Sequence, residues 1–260
     1  MTIAGPSLGA TRRPDGIWIF TRAEFGQYRF DYNDGEHVVF GGPSTRGKTR
    51  LAFNLLEYVA RPDCPALVAV SKPDDKETAM QGARLEYRRV DQWPPPPKVK
   101  EMLDGKPSGY LVWPAMGNIN TDIPRTAKLT RELMEHTYSG GVKQRHAILV
   151  MDDTMVKAKV LGLDGNMVTI LAMAGAMGIG LWIFVQKPTD SGRTTLWGCE
   201  NATHLFLTKG GDQRMLKRYM EIANAGEYSR MIEAIIPTLE PFQFVYLHKY
   251  NGHICIVDAK

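Results

Sequence analysis

The 260-residue sequence predicts an α/β fold: a mostly parallel sheet with helices on both faces, ending in a C-terminal β-hairpin. Three observations predict it. Apolar runs of strand length, among them Ala66 to Val70, Ile148 to Met151 and Leu181 to Val185, alternate with segments of helical spacing. A glycine-rich turn, Gly42 to Thr49, lies between a short apolar strand and an amphipathic helix. Near the C-terminus Asn251-Gly252 separates two alternating apolar runs, Phe242 to Lys249 and His253 to Val257, the strongest short-range signal for a hairpin.

The elements follow in order. Residues 1–15, rich in Gly, Pro and Arg, read as a flexible N-terminus, and residues 16–260 as a single domain. Ile17 to Phe20 and the alternating Tyr28 to Tyr32 read as strands of a small antiparallel element closed by Asn33-Asp34-Gly35. His37 to Phe40 is the strand before the glycine-rich turn. After the turn, Leu51, Phe53, Leu55, Leu56 and Val59 share the buried side of a helix that stops at Arg61-Pro62. A helix over Lys76 to Arg84 follows the strand at Ala66 to Val70. The proline run after Trp93 reads as a stiff surface connector or an interaction segment. Tyr110 to Pro114 is the next strand, and a helix runs from Thr126 to Gly140-Gly141. His146 to Met151, a helix over Met167 to Met177, the strand Leu181 to Val185, the strand His204 to Thr208 and a helix over Gln213 to Ala223 complete the core. His248 and His253, flanking the hairpin turn, read as exposed residues without metal-ligand spacing.

Composition narrows the function classes. Apolar residues make up 43% and charged residues 23%, as in ordinary soluble globular proteins. The net charge of +4 permits a polyanionic partner without requiring one. Cys64, Cys199 and Cys255 are widely spaced, which argues against a zinc knuckle or a disulfide framework. No signal peptide is expected, and the longest apolar stretch is interrupted by Gly175, Gly178 and Gly180. The expected location is cytoplasmic or virion-associated.

The glycine-rich turn, Gly42-Pro43-Ser44-Thr45-Arg46-Gly47-Lys48-Thr49, fits G-x-x-x-x-G-K-[ST] and is followed by Arg50. The glycines let successive N–H groups converge on a phosphate, and the helix that follows adds its positive pole. Lys48 can reach the β- and γ-phosphates of ATP, and the Thr49 hydroxyl can ligate Mg2+. About a hundred residues on, Asp152 emerges at the carboxyl end of an apolar strand, where it would hold the metal. Asp153 could then orient or deprotonate the attacking water, or serve as a helix cap or a plain surface acid. Gln186 ends the next strand, placed either to contact the γ-phosphate and the water or to bond the backbone of its loop. Lys157 and Lys159, after the acidic pair, are candidates for DNA phosphate contacts, or a solvated basic loop; Lys98, Lys100 and Lys106 are weaker candidates.

The P-loop, the apolar strand ending in Asp152-Asp153, Gly178-Ile179, the next apolar strand and Gln186-Lys187-Pro188 together resemble the FtsK/HerA superfamily of DNA-pumping ATPases, over about residues 37–220. The resemblance implies a RecA-like (ASCE) P-loop NTPase core and a homo-oligomeric ring, with about five or six subunits expected. It also implies hydrolysis at subunit interfaces, completed by an arginine from the neighbour. Lys48 and Thr49 would hold phosphate and Mg2+, Asp152 would support the metal, Asp153 would stand at the usual catalytic glutamate, and Gln186 would sense the γ-phosphate. Two departures stand out: Asp153 is shorter than glutamate, and Ala174 to Met177 contains no arginine. The arginine acting in trans is therefore open between Arg193, Arg214 and Arg145. Size and the lack of spanning segments make the chain look most like viral genome-packaging ATPases, with double-stranded DNA, and either a capsid vertex or a membrane-anchored protein, as expected partners. A plasmid-transfer or chromosome-segregation pump, a P-loop switch or kinase, and an inactive nucleotide-binding subunit are the alternatives.

Overall fold

The computed structural model describes residues 9–98, 105–186, 200–210, 217 and 228–260. Eleven strands form one sheet: β1 (Thr11–Arg12), β2 (Trp18–Thr21), β3 (Val38–Gly41), β4 (Ala66–Ala69), β5 (Arg88–Val90), β6 (Gly109–Val112), β7 (Ala147–Met151), β8 (Ile179–Val185), β9 (His204–Leu207), β10 (Gln243–His248) and β11 (Ile254–Asp258). Their spatial order is β1-β2-β11-β10-β9-β3-β8-β7-β4-β6-β5. From β9 to β5 neighbouring strands are parallel, as the continuous apolar runs predict; β10 and β11 are the expected antiparallel hairpin, and β10 joins the sheet through β9. The helices are α1 (Arg22–Tyr28), α2 (Lys48–Val59), α3 (Lys76–Arg84), α4 (Ile119–Val142), α5 (Asp164–Met173) and α6 (Ser229–Ile235).

The period of two along a strand divides the core by chemistry. On β8, Ile179, Leu181, Ile183 and Val185 face an aliphatic layer shared with Leu133 of α4 and Met167 and Ile170 of α5. Trp182 and Phe184 face the other side, with Phe40, Phe206, Tyr246 and the α2 residues Leu51, Phe53, Leu55 and Leu56. Trp182 is fully buried; its truncation to alanine is expected to cost about 3–5 kcal/mol.

Some elements differ from expectation. Tyr28 to Tyr32 is not a strand. Thr21 and Glu24 form a reciprocal capping box that starts α1, and this helix runs through Tyr28. The Phe30/Tyr32 alternation instead reflects packing: both rings meet Trp182, with centroids 5.9 and 5.6 Å away. Within the segment expected to be flexible, Thr11–Arg12 pairs with Trp18 and Ile19. α4 starts at Ile119, where Asn118 caps it through the N–H of Asn120, and it accommodates Pro124 early in its course. Arg88–Val90, too polar to read as a core strand, is the exposed-edge strand β5 beside β6. The proline run stays at the surface, as a surface connector would, with Pro94, Pro96 and Pro97 exposed and Trp93 edge-on to Tyr110 at 5.5 Å. His248 is buried and His253 half-buried rather than exposed, because the hairpin is covered on that face. Apart from Lys217, the helix expected over residues 213–223 lies outside the described residues.

Candidate functional site

Because β3, β8, β7 and β4 run in the same direction, their carboxyl ends emerge at one edge of the sheet, where α/β folds collect ligands. The order places β8 between the P-loop strand β3 and the acidic strand β7. After β3 the chain must pass the end of β9. At Gly42 (φ 146°) a Cβ would come within 2.2 Å of Thr208 Cγ2, so the crossing requires glycine. Thr45 (φ 63°) and Gly47 (φ 84°) complete the turn in the left-handed region. Gly47 is the N-cap of α2 and supplies no side-chain acceptor, which leaves the helix's first N–H groups and its positive pole facing the loop.

The loop borders a cavity of about 320 Å³ lined by Ser44, Thr45, Gly47, Lys48, Thr49 and Arg50, with Lys72, Glu77, Asp152, Asp153, Phe184, Gln186 and Phe242 completing the wall. Lys48 is buried, and its Nζ donates to the carbonyls of Gly42 and Pro43 at 2.6 Å each. Burial, reinforced by the charge of Lys72, pulls its pKa down to about 8 against the pull of Asp152 and Asp153. Asp152 and Asp153 follow β7 directly and are both buried. Burial raises the Asp152 pKa, opposed by Lys157 and Lys72. Asp152 Oδ2 and Asp153 Oδ1 are buried oxygens without a hydrogen-bond partner. Two such orphaned carboxylate oxygens beside the Thr49 hydroxyl fit a hard divalent cation such as Mg2+.

Local backbone chemistry aims the pair. Asp153 takes a left-handed φ of 49°, tolerable for aspartate, and so projects differently from Asp152. Thr154 Oγ1 donates to Met151 O at 3.1 Å and accepts from Phe184 N–H at 3.0 Å, tying the acidic turn to β8. One residue past Val185, Gln186 accepts from Ser44 Oγ at 3.1 Å through its Oε1. The amide therefore touches the P-loop and lines the same cavity as the acid pair.

Lys72, Glu77 and Phe242 were not anticipated by sequence. Lys72 leaves the carboxyl end of the β4 segment and pairs with Asp153 Oδ2 at 3.5 Å. Its place after an apolar run was the available signal. Despite the desolvation that opposes charge, Asp152 and Asp153 raise its pKa. Glu77, in the first turn of α3, accepts from Arg50 Nε at 3.4 Å. Phe242, just before β10, approaches Gly47 closely enough that a Cβ there would sit 3.0 Å from its ring; only tertiary structure brings those positions together.

Other expectations fare differently. Pro43 and Arg46 belong to the loop but do not line the cavity. Lys157 is not available to a polyanion. After Thr154 the chain winds into a π-helical turn, Val156–Val160, that directs Lys157 inward, where it is fully buried and donates to Asp152 O and Ser71 Oγ. Burial pulls its pKa down to about 8. Lys159, on the same turn, is exposed, as are Lys98 and Lys106; Lys100 lies outside the described residues. Arg145 is exposed before β7, at the end of the sheet away from the cavity. Arg193 and Arg214 lie outside the described residues.

No protein-family model and no curated protein sequence matches the chain. Solved structures do. The DNA-packaging ATPase B204 of Sulfolobus turreted icosahedral virus superposes with a TM-score of 0.57 at 14% identity, covering 86% of this chain and 98% of that one. The genome-packaging NTPase B204 of Sulfolobus turreted icosahedral virus 2, in complex with AMPPCP, gives 0.57 at 13% identity over 86% and 97%. ATPases 2 and 3 of EssC from Geobacillus thermodenitrificans give 0.53 at 10% identity, covering 87% of this chain and 40% of that one. The chain therefore has the fold of these P-loop ATPases, as its sequence predicted.

Proposed function

We propose that this chain is an ATP-hydrolysing motor that translocates double-stranded DNA as a homo-oligomeric ring and packages a viral genome. The observation carrying the proposal is the convergence of Lys48, Thr49, Asp152, Asp153 and Gln186 on one cavity at the carboxyl edge of the sheet. Fold similarity to packaging NTPases supports the choice of DNA as cargo. The ATPase seated there would be virion-associated.

In the proposed reaction the P-loop N–H groups and Lys48 bind the triphosphate. Bound Mg2+, held by Thr49 and Asp152, would neutralise charge on the phosphate oxygens. Asp153 orients a water and accepts its proton as the water oxygen bonds to the γ-phosphorus. The bond from that phosphorus to the bridging oxygen breaks, and its electron pair leaves with ADP. Gln186 positions the water and, through Ser44, reports the γ-phosphate to the loop. Among the described residues Arg50 is the arginine lining the cavity, and Glu77 already engages it. An arginine from a neighbouring subunit would complete the charge balance, which is the reason for a ring.

The test is ATP hydrolysis by wild type and Asp153→Ala, with and without linear double-stranded DNA, across a salt series. DNA stimulation that fades as salt rises, and that disappears in Asp153→Ala, is the expected result. Hydrolysis indifferent to DNA would instead identify a switch or kinase.

A further inference from the structure

We propose that Glu36, His204 and His248 form a binding site for a divalent first-row transition metal, of which zinc is the representative, at the end of the sheet opposite the nucleotide cavity. Nothing in the ATPase reading uses these residues. Glu36 lies two residues before β3, His204 opens β9 and His248 closes β10, three neighbouring strands. His204 and His248 are direct partners in the antiparallel register, so their side chains share one face, with ring centroids 4.9 Å apart. Glu36 Oε2 lies 3.0 Å from His204 Nε2. One ligand atom from each of the three residues falls within 4.8 Å of the others. Two imidazoles and a carboxylate are a donor set suited to zinc and its neighbours, with a remaining position for water.

The surroundings are those of a metal centre. His204 is fully buried, and its Nδ1 lies 2.9 Å from Tyr246 Oη. That contact can hold the Nδ1–H tautomer and leave Nε2 free to ligate, the usual role of an outer-shell partner. Phe30 and Tyr32 pack on the His204 ring at 4.9 and 5.8 Å, an apolar wall that limits solvent access. The Glu36 side chain, 20% exposed, marks the way in. A metal takes over two hydrogen-bonding positions: the proton between Glu36 and His204, and the long 3.3 Å bond from Asn251 N–H to His248 Nδ1.

The experiment is titration of the full chain with Co2+ and Zn2+, followed by visible absorption of the cobalt form, by calorimetry and by the thermal midpoint. Wild type and Asp152→Asn are both expected to show the intense cobalt bands of a low-coordinate site with imidazole ligands, with the same cobalt dependence of those bands. His248→Ala and Glu36→Gln are expected to lose affinity by roughly a hundredfold, and zinc should no longer raise their thermal midpoints. Circular dichroism checks their folding, and Glu36→Gln carries the test if His248→Ala does not fold. Absence of the cobalt bands in wild type, binding unchanged in both variants, or binding lost in Asp152→Asn would each overturn the proposal. Those outcomes would make the cluster a hydrogen-bonded core triad.

Discussion

The two ends of the same parallel strands are built differently. At the carboxyl edge, buried polar atoms are left without protein partners: one oxygen each of Asp152 and Asp153, with Lys48 bonded to its own loop's carbonyls. At the amino edge, two buried histidines have partners for both ring nitrogens. His37 Nε2 meets Leu171 O at 3.2 Å and its Nδ1 accepts from Leu181 N–H at 3.0 Å, while His204 engages Glu36 and Tyr246. Buried carboxylate oxygens without partners oppose folding, so the adjacent pair at Asp152 and Asp153, lining one cavity, marks where a ligand belongs.

The largest expected effects separate the two edges. Lys48→Ala and Asp153→Asn should each lower ATP turnover by roughly a hundredfold or more while leaving the thermal midpoint nearly unchanged or raised. His204→Ala should do the reverse, lowering stability by about 2–4 kcal/mol in chemical denaturation, with turnover per folded molecule retained. Equal effects on turnover from both edges would end the distinction. Next, Lys157→Met should lower stability by about 3 kcal/mol, because the buried Asp152 loses its nearest counter-charge, and should not change the salt dependence of DNA binding. Lys159→Gln should leave stability intact and reduce that salt slope by about 1. Thr154→Val, which removes the bridge from the acidic turn to β8, is expected to cost about 1 kcal/mol.

The smallest effect is a proton count. Lys48 has a pKa of about 8 in the folded chain, below its ordinary 10.5. Between those values the unfolded chain holds the proton and the folded chain does not, so this residue makes stability rise with pH across that interval. A triphosphate beside Lys48 favours the charged form and raises its pKa again. Nucleotide binding just above pH 8 should therefore take up a fraction of a proton, measurable by calorimetry in two buffers of different ionisation enthalpy. Proton release would contradict this reading of the loop.

Much of the site was legible because the chemistry is local. Gly42 to Thr49 and the Asp152-Asp153 pair are contiguous motifs on strands whose apolar runs are unambiguous, and the α3 boundaries followed from composition alone. What could not be read depends on tertiary placement. Tyr28 to Tyr32 alternates like a strand, yet a cap at Thr21 commits Tyr28 to a helix and the remaining rings to the aromatic layer. Lys157 and Lys159 look equivalent in sequence, and only the π-helical turn sends one inward and one to solvent. His204 and His248 lie 44 positions apart in the chain, so no spacing rule announces them; strand register alone makes them neighbours.

The position of β8 also acts as a ruler. Strands in a sheet lie about 4.8 Å apart, so one strand inserted between β3 and β7 holds the phosphate loop and the acidic turn about 9.6 Å from each other. That interval is fixed by backbone hydrogen bonds and is insensitive to side-chain substitution. In the proposed reaction the shorter reach of Asp153 would therefore not be extended by moving the strand. Any adjustment of that reach would come from the turn itself, where Asp153 takes a left-handed backbone.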